Sequence, residues 1–285
     1  MPIAPRFFQL RRSVAGDLGQ VVSESWLVEA ERCRTAVERV LPDAAIELHF
    51  NLGSRGRDLF NGRIGHISQR AAWVTGPHAT SLLVQKETAD CDMVGVRLLP
   101  GVCEQVLGVP AIELRDSLVD LDALWGPVVE RIRERLYEAR GSRARLEMVE
   151  RVISERLVGS HASSDAALTR QLCLSLSSAP PATVGELAAK YGVTHRRVIA
   201  IFDREVGVKP KAFHRIDRLR RVLNHFHGDG PSSWTRIAHA CGYFDQAHLI
   251  NDFHLQVGLT PVEYARSHSS IGRGFVPYLL ADAVE

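Results

Sequence analysis

The chain has 285 residues, 45% hydrophobic and 24% charged, with a net charge of +2, which suits two ordinary domains with cores of their own and argues against a disordered chain. No apolar run reaches the roughly 20 residues that cross a bilayer, and residues 1–6 lack the apolar stretch of a secretory signal, so a cytoplasmic protein with no membrane partner is expected. The five cysteines, Cys33, Cys91, Cys103, Cys173 and Cys241, stand singly with no C-x-x-C pair, which argues against a disulfide framework or a structural zinc.

The first hundred residues read mainly as strands, over 20–28, 45–51, 71–75, 81–85 and 93–98. Ile46, Leu48 and Phe50 alternate with Glu47, His49 and Asn51, the pattern of a sheet with one dry face. Turn formers at 53–56, 61–62 and 76–77 separate the segments. Short strands at this spacing predict a small antiparallel barrel or sandwich. The period then changes. Leu124, Val128, Ile132 and Leu136 form one stripe of a helix over 121–139, and helices follow over 146–158 and 166–176. That stripe fits either self-association or packing on the protein's own barrel. The polar stretch 175–181 places a domain boundary near residue 179. The expected class is α+β: a barrel-like domain with helices over 1–179, an all-α domain over 180–270, and a tail over 271–285.

The last third is more basic than the rest. Residues 180–270 hold 12 Lys and Arg against 8 Asp and Glu, with 8 of the 12 histidines; the remainder carries 23 against 25. This is a modest footprint for a polyanion. The segment also repeats itself. Leu187, Ala188 and Gly192 match Ile237, Ala238 and Gly242 at an offset of 50. One extra residue in the second turn makes the offset 51 for Thr194/Asp245, Val198/Leu249, Phe202/Phe253, Gly207/Gly258, Pro210/Pro261 and Phe213/Tyr264. Two copies of one supersecondary unit are present.

In the first copy, Thr183 caps a short helix with Glu186 at the capping-box position. Gly192 supplies the turn, and Thr194 caps a second helix to about Glu205. Val198, Ile201 and Phe202 turn inward; Arg196 and Ala200 turn outward with Ile199 at the edge. In the second copy Gly242 turns, Asp245 caps, Leu249 and Phe253 anchor, and Gln246, Ala247 and Asn251 lie outward. A short helix, a glycine turn and a capped second helix make the helix-turn-helix pattern. Its outward face is the one a major groove meets. Pro210 opens a connecting helix to about Phe226, with Phe213, Ile216, Leu219, Leu223 and Phe226 inward. Lys211, Arg215, Arg218, Arg220 and Arg221 ring its solvated sides; Lys211, Arg215, Arg218 and Arg221 are candidates for gripping phosphates.

The stretches 237–253 and 258–264 resemble the C-terminal signature of the AraC/XylS family of transcription regulators, and 187–213 resembles that family's first unit. The resemblance implies a regulator of promoter DNA acting with RNA polymerase, as a monomer or homodimer. It places base reading on Arg196, Ile199 and Ala200, then on Gln246, Ala247 and Asn251. Arg197 is expected at guanine or phosphate, and His195 and His248 at the surface or facing phosphate. Two departures stand out. The second recognition helix has no Lys or Arg, and Asp252 adds a negative charge, so its grip is expected to rest on Gln and Asn contacts. Through 41–48, 96–101 and 121–126 the front half resembles the N-terminal domains attached to some members, which implies a barrel-like sensing or oligomerising domain.

Three readings of the front half compete. In an effector pocket, Trp26, His49 and Trp73 are liners, and Asp43 and Arg97 orient a polar small molecule. A metal-dependent small-barrel enzyme, or a metabolite-binding protein whose tail has lost specific DNA binding, is the alternative. Its candidates, His49, His66 and His78, lack H-x-H or H-E-x-x-H spacing, and no G-x-S-x-G elbow is present. No catalytic residue, metal ligand or cofactor is therefore assigned. A purely dimerising module is the third.

Overall fold

The computed structural model describes residues 7–33, 36–53, 57–61, 65–69, 72–86, 89–178, 181–225, 233–269 and 278–281. The front half is built on β1 (Phe7–Ser13), β2 (Val22–Cys33), β3 (Ala36–Val40), β4 (Glu47–Asn51), β5 (Arg57–Asn61), β6 (Gly65–Gln69), β7 (Ala72–Thr75), β8 (Leu82–Lys86) and β9 (Ala89–Leu98). Two shorter strands complete the set, β10 (Leu118–Asp120) and, from the far end of the chain, β11 (Tyr278–Ala281). They form two antiparallel sheets, ordered β1-β2-β9-β4-β7-β10 and β11-β3-β8-β5-β6.

These sheets are open, which corrects the expected barrel. Closure needs the outer strands to pair with one another, and β1 and β10 are instead the two edges of the six-stranded sheet. Its apolar face is sealed by helices: α1 (Cys103–Leu107), α2 (Leu121–Trp125), α3 (Val128–Glu138) and α4 (Ser142–Leu157). Leu48, Phe50, Val74, Val94 and Val96 of the sheet meet Val106, Leu121, Val129, Ile132, Leu136, Val149 and Ile153 in one continuous core. The stripe Leu124, Val128, Ile132 and Leu136 thus packs on the protein's own sheet. Pro127, which cannot donate to a helix ladder, separates α2 from α3 where one helix was expected.

The other sheet face is also buried. His49 is stacked on Trp73, with centroids 5.0 Å apart and planes 6° apart, and meets Trp26 edge-on at 5.2 Å. Trp26 and Trp73 join Leu82, Met93 and Leu118 in a smaller apolar cluster.

The helical half comprises α5 (Ala166–Leu176), α6 (Val184–Tyr191), α7 (His195–Ile201), α8 (Pro210–Leu223), α9 (Trp234–Ala240), α10 (Gln246–Val257) and α11 (Pro261–Ser269). A π-turn over Phe202–Val206 continues α7. Two cores hold it. Leu172, Cys173 and Leu176 of α5 close over Leu187, Val198, Ile201 and Phe202. Leu219, Val222 and Leu223 of α8 pack with Ile237, Tyr243, Leu249, Phe253 and Tyr264. Near its start α8 sends Phe213 edge-on to Phe202 at 5.7 Å. One helix therefore has its two ends in the two cores, which fixes the spacing of the units it joins.

The halves are docked on each other. Leu41 enters the core of the second unit. Arg39 Nη1 donates to Val257 O at 2.7 Å, Ser81 Oγ to the same carbonyl at 2.7 Å, and Ser81 N to Gln256 O at 2.9 Å. These donors satisfy carbonyls at the end of α10 that the helix itself leaves open. On the first unit, Arg204 pairs with Glu104 at 2.6 Å and Gly101 N donates to Glu205 O at 3.3 Å.

Candidate nucleic-acid interface

Both units are built by the same local chemistry. Thr183 Oγ1 accepts from Glu186 N at 3.2 Å while Glu186 Oε2 accepts from Thr183 N at 2.7 Å, completing a capping box on α6. Gly192 turns at φ 65° and Gly242 at φ 78°. Thr194 Oγ1 accepts from Arg197 N at 3.1 Å to start α7, and Asp245 Oδ1 accepts from His248 N at 2.7 Å to start α10. Such caps are each worth about 1 kcal/mol.

On α7, His195, Arg196 and Ala200 are exposed and Ile199 is half-buried. Arg197 is also at the surface, yet its Nη2 lies 2.6 and 2.7 Å from the two carboxylate oxygens of Asp165, at the start of α5. Beside this pair a polar cavity of about 400 Å³ is lined by Glu104, His161, Ser163 and Arg204. On α10, Ala247, His248 and Asn251 are exposed and Gln246 is half-buried. Thr235 Oγ1 donates to Gln246 Oε1 at 3.1 Å, which orients the amide. His248 Nδ1 accepts from Phe244 N at 3.4 Å, and its ring meets Tyr243 edge-on at 5.3 Å.

Two sequence expectations change. Asp252 adds no charge to the outward face: it is buried and accepts from Arg215 Nε and Arg218 Nη2, each at 2.8 Å. Arg215 and Arg218 are accordingly turned to this carboxylate rather than outward to phosphates, because α10 buries Asp252 against α8. Arg218 also lies over the Tyr243 ring, 4.2 Å from its centroid. Arg221 is engaged as well, donating to Ser177 O at 2.6 Å and pairing with Asp217. Lys211 and Arg220 remain exposed on α8. Phe226, expected at the inner end of this helix, lies outside the described residues. The alternation pattern alone did not single out Phe244, which is 84% exposed just before the cap of α10.

In the front half, Arg97 is shared between Asp43 at 2.6 Å and Glu47 at 2.7 Å. Burial alone would raise the Asp43 carboxyl, but the charge and hydrogen bond of Arg97, with the charge of Arg220 from α8, hold it well below the usual carboxylate range. Burial dominates at Glu47 and raises its carboxyl despite Arg97. The candidate liners are therefore neighbours, with Trp26, His49 and Trp73 packed together beside this ion cluster. Of the histidines weighed as metal ligands, His49 bonds Thr75 Oγ1 at 2.9 Å, and His78 reaches Gly76 O at 3.0 Å and Leu41 O at 2.9 Å. The side chain of His66 lies outside the described residues. Among the described residues no three His, Cys, Asp or Glu side chains gather as a ligand set, and no helix is long and apolar enough to cross a membrane.

Two capped helix pairs, with glycine turns and exposed second helices, have the form of helix-turn-helix units. Residues 187–267 match the family model described as a helix-turn-helix domain, and the segment is a helix-turn-helix domain of the AraC type, found in DNA-binding transcription regulators. Residues 14–120 match a model described as a domain of unknown function (DUF6597). Among solved structures, the chain is similar to ToxT from Vibrio cholerae O395, with 10% identity, 92% of this chain and 97% of that one covered, and a TM-score of 0.47. It is similar to unsaturated-fatty-acid-bound ToxT from Vibrio cholerae strain SCE256, with 11% identity, 92% and 94% covered, and a TM-score of 0.45. It is also similar to the AraC-like transcriptional activator CuxR, with 14% identity, 77% and 87% covered, and a TM-score of 0.30. No curated protein matches the chain.

Proposed function

We propose that the protein is a sequence-specific regulator that lays α7 and α10 into successive major grooves on one face of a promoter, acting beside RNA polymerase. The observation that carries this reading is the pairing of two alike, capped, outward-facing helices through one rigid α8 with an end in each core. Two readers on one face must lie about 34 Å apart, one helical turn of DNA. Arg196 is placed to pair with guanine, and Gln246 and Asn251 with adenine. The sheet-bearing part, through α4, forms the regulatory half, since α5 packs on the core of the first unit. Any effector acts through its docking on the ends of α10 and of the first unit. Selection of bound duplexes from a random pool tests the reading. Wild-type protein should enrich two short half-sites. Arg196→Ala should relax one position of the first, with a loss of about 1–3 kcal/mol on the wild-type site. An unchanged motif from that variant would remove Arg196 from the readers.

Arg197 adds a graded element to the reading. Held by Asp165, it is withdrawn from the phosphates its position would otherwise serve. Asp165→Asn should therefore tighten binding about threefold to tenfold at low salt and steepen the salt dependence by about one ion. Anisotropy titrations with the same change made in an Arg197→Ala background serve as the control. An equal gain there would show that only net charge had changed.

A further inference from the structure

The two units differ by one inserted residue, and the structure identifies it. Val193 N donates to Ala188 O at 3.0 Å, and Tyr243 N donates to Ala238 O at 2.9 Å, so Val193 and Tyr243 are equivalent. Thr194 and Asp245 are equivalent as caps. Phe244 is therefore the extra residue, at the mouth of the second recognition helix and absent from the first.

Its exposure is imposed by its neighbours. Tyr243 is buried under Arg218, Asp245 is committed to capping, and Phe244 N is tied to His248 Nδ1. The chain on either side is fixed, and the ring is held in solvent, 84% exposed, at the end of α10 that also carries Gln246 and Ala247. This helix has no Lys or Arg along its length, so its grip on a duplex has to come from uncharged contacts. The N-terminal end of a recognition helix lies nearest the base edges. The apolar group offered in the major groove is the C5-methyl of thymine, against which a Phe side chain packs.

We infer that Phe244 is a specificity-determining residue of the second unit and reads a thymine methyl in the major groove. This rests on α10 entering the groove as proposed above. The test uses the full chain and the duplex that the wild-type protein selects, with each thymine replaced in turn by deoxyuridine, which removes only the methyl. For wild-type protein, one replacement in the half-site of α10 should weaken binding about fourfold, the worth of one buried methyl group. Phe244→Ser should lose that sensitivity and Phe244→Leu should keep part of it, with thermal midpoints unchanged because the ring is in solvent. A uracil profile identical in wild type and Phe244→Ser overturns the assignment. So does a Phe244→Ser variant that keeps affinity and profile but loses transcription from the same promoter, which would give the ring to a protein contact. Gln246→Ala and Asn251→Ala separate the two levels. If neither loses affinity, α10 is not in the groove and both readings of it fail. If they do lose affinity while the uracil profile ignores Phe244, only the Phe244 assignment fails.

Discussion

Replacing Asp252 by alanine is expected to lower the unfolding free energy of the helical half by about 3–5 kcal/mol, the cost of removing one partner from a buried ion pair. The carboxylate is buried and is shared by Arg215, Arg218 and Gln256. Arg218 is the partner that cannot escape: its side chain is 11% exposed and it is already stacked on Tyr243. Without Asp252 it remains a buried cation with no counter-charge. Arg215 is 37% exposed and can turn to water, so its share of the effect is small. Urea unfolding followed by far-ultraviolet circular dichroism checks the value, as an earlier midpoint at unchanged slope. Joint replacement with apolar residues, Asp252→Leu with Arg218→Met, should recover much of the loss, because an ion pair of this kind is weakly stabilising overall. A loss below 1 kcal/mol for Asp252→Ala would mean that the triad does not hold α10 to α8.

The second large effect is expected at Gly207, where the first unit meets the front half. Its φ is 81°, and a methyl group there would lie 2.6 Å from Ala111 O, 2.6 Å from Pro77 Cγ and 2.9 Å from Ala111 C. Gly207→Ala therefore combines left-handed strain of about 1–2 kcal/mol with overpacking of about 1–3 kcal/mol against backbone that has no rotamer to yield. The overpacking is relieved if the front half separates from the first unit. Limited proteolysis between α4 and α5 should accordingly quicken. Gly192→Ala is the matched control, with φ 65° and nothing within 4 Å of the added atom. It should cost only the strain and leave proteolysis unchanged. Equal behaviour of the two variants would show that the Gly207 contact does not hold the halves together.

The helical half was legible because its signals are local. Capping residues, turn glycines and inward Val198, Leu249 and Phe253 all act within one or two turns of chain, and they lie where the spacing predicts. The front half was legible only in part. Strands β2, β4, β7, β8 and β9 overlap the expected segments, since their apolar patterning is strong. Strands β1, β3, β5 and β6 escaped: Arg57–Asn61 and Gly65–Gln69 carry few apolar residues and owe their strand form to antiparallel partners. His49 and Asn51, read as a wetted face, are buried because the second sheet face is also covered. Asp252 and Arg197 show the same limit in the candidate interface. Their partners, Arg218 on α8 and Asp165 on α5, are long-range and leave no periodic trace in the sequence.

Missing-nucleoside interference on a selected duplex tests the central claim most directly, because it maps every base the protein needs without presuming its identity. Two helices held at one fixed separation predict two clusters of sensitive bases on one face, centred about 10–10.5 base pairs apart. The nearer positions of one cluster should vanish in Arg196→Ala and those of the other in Gln246→Ala. A single cluster unaffected by Gln246→Ala, or no cluster at all, would contradict the account.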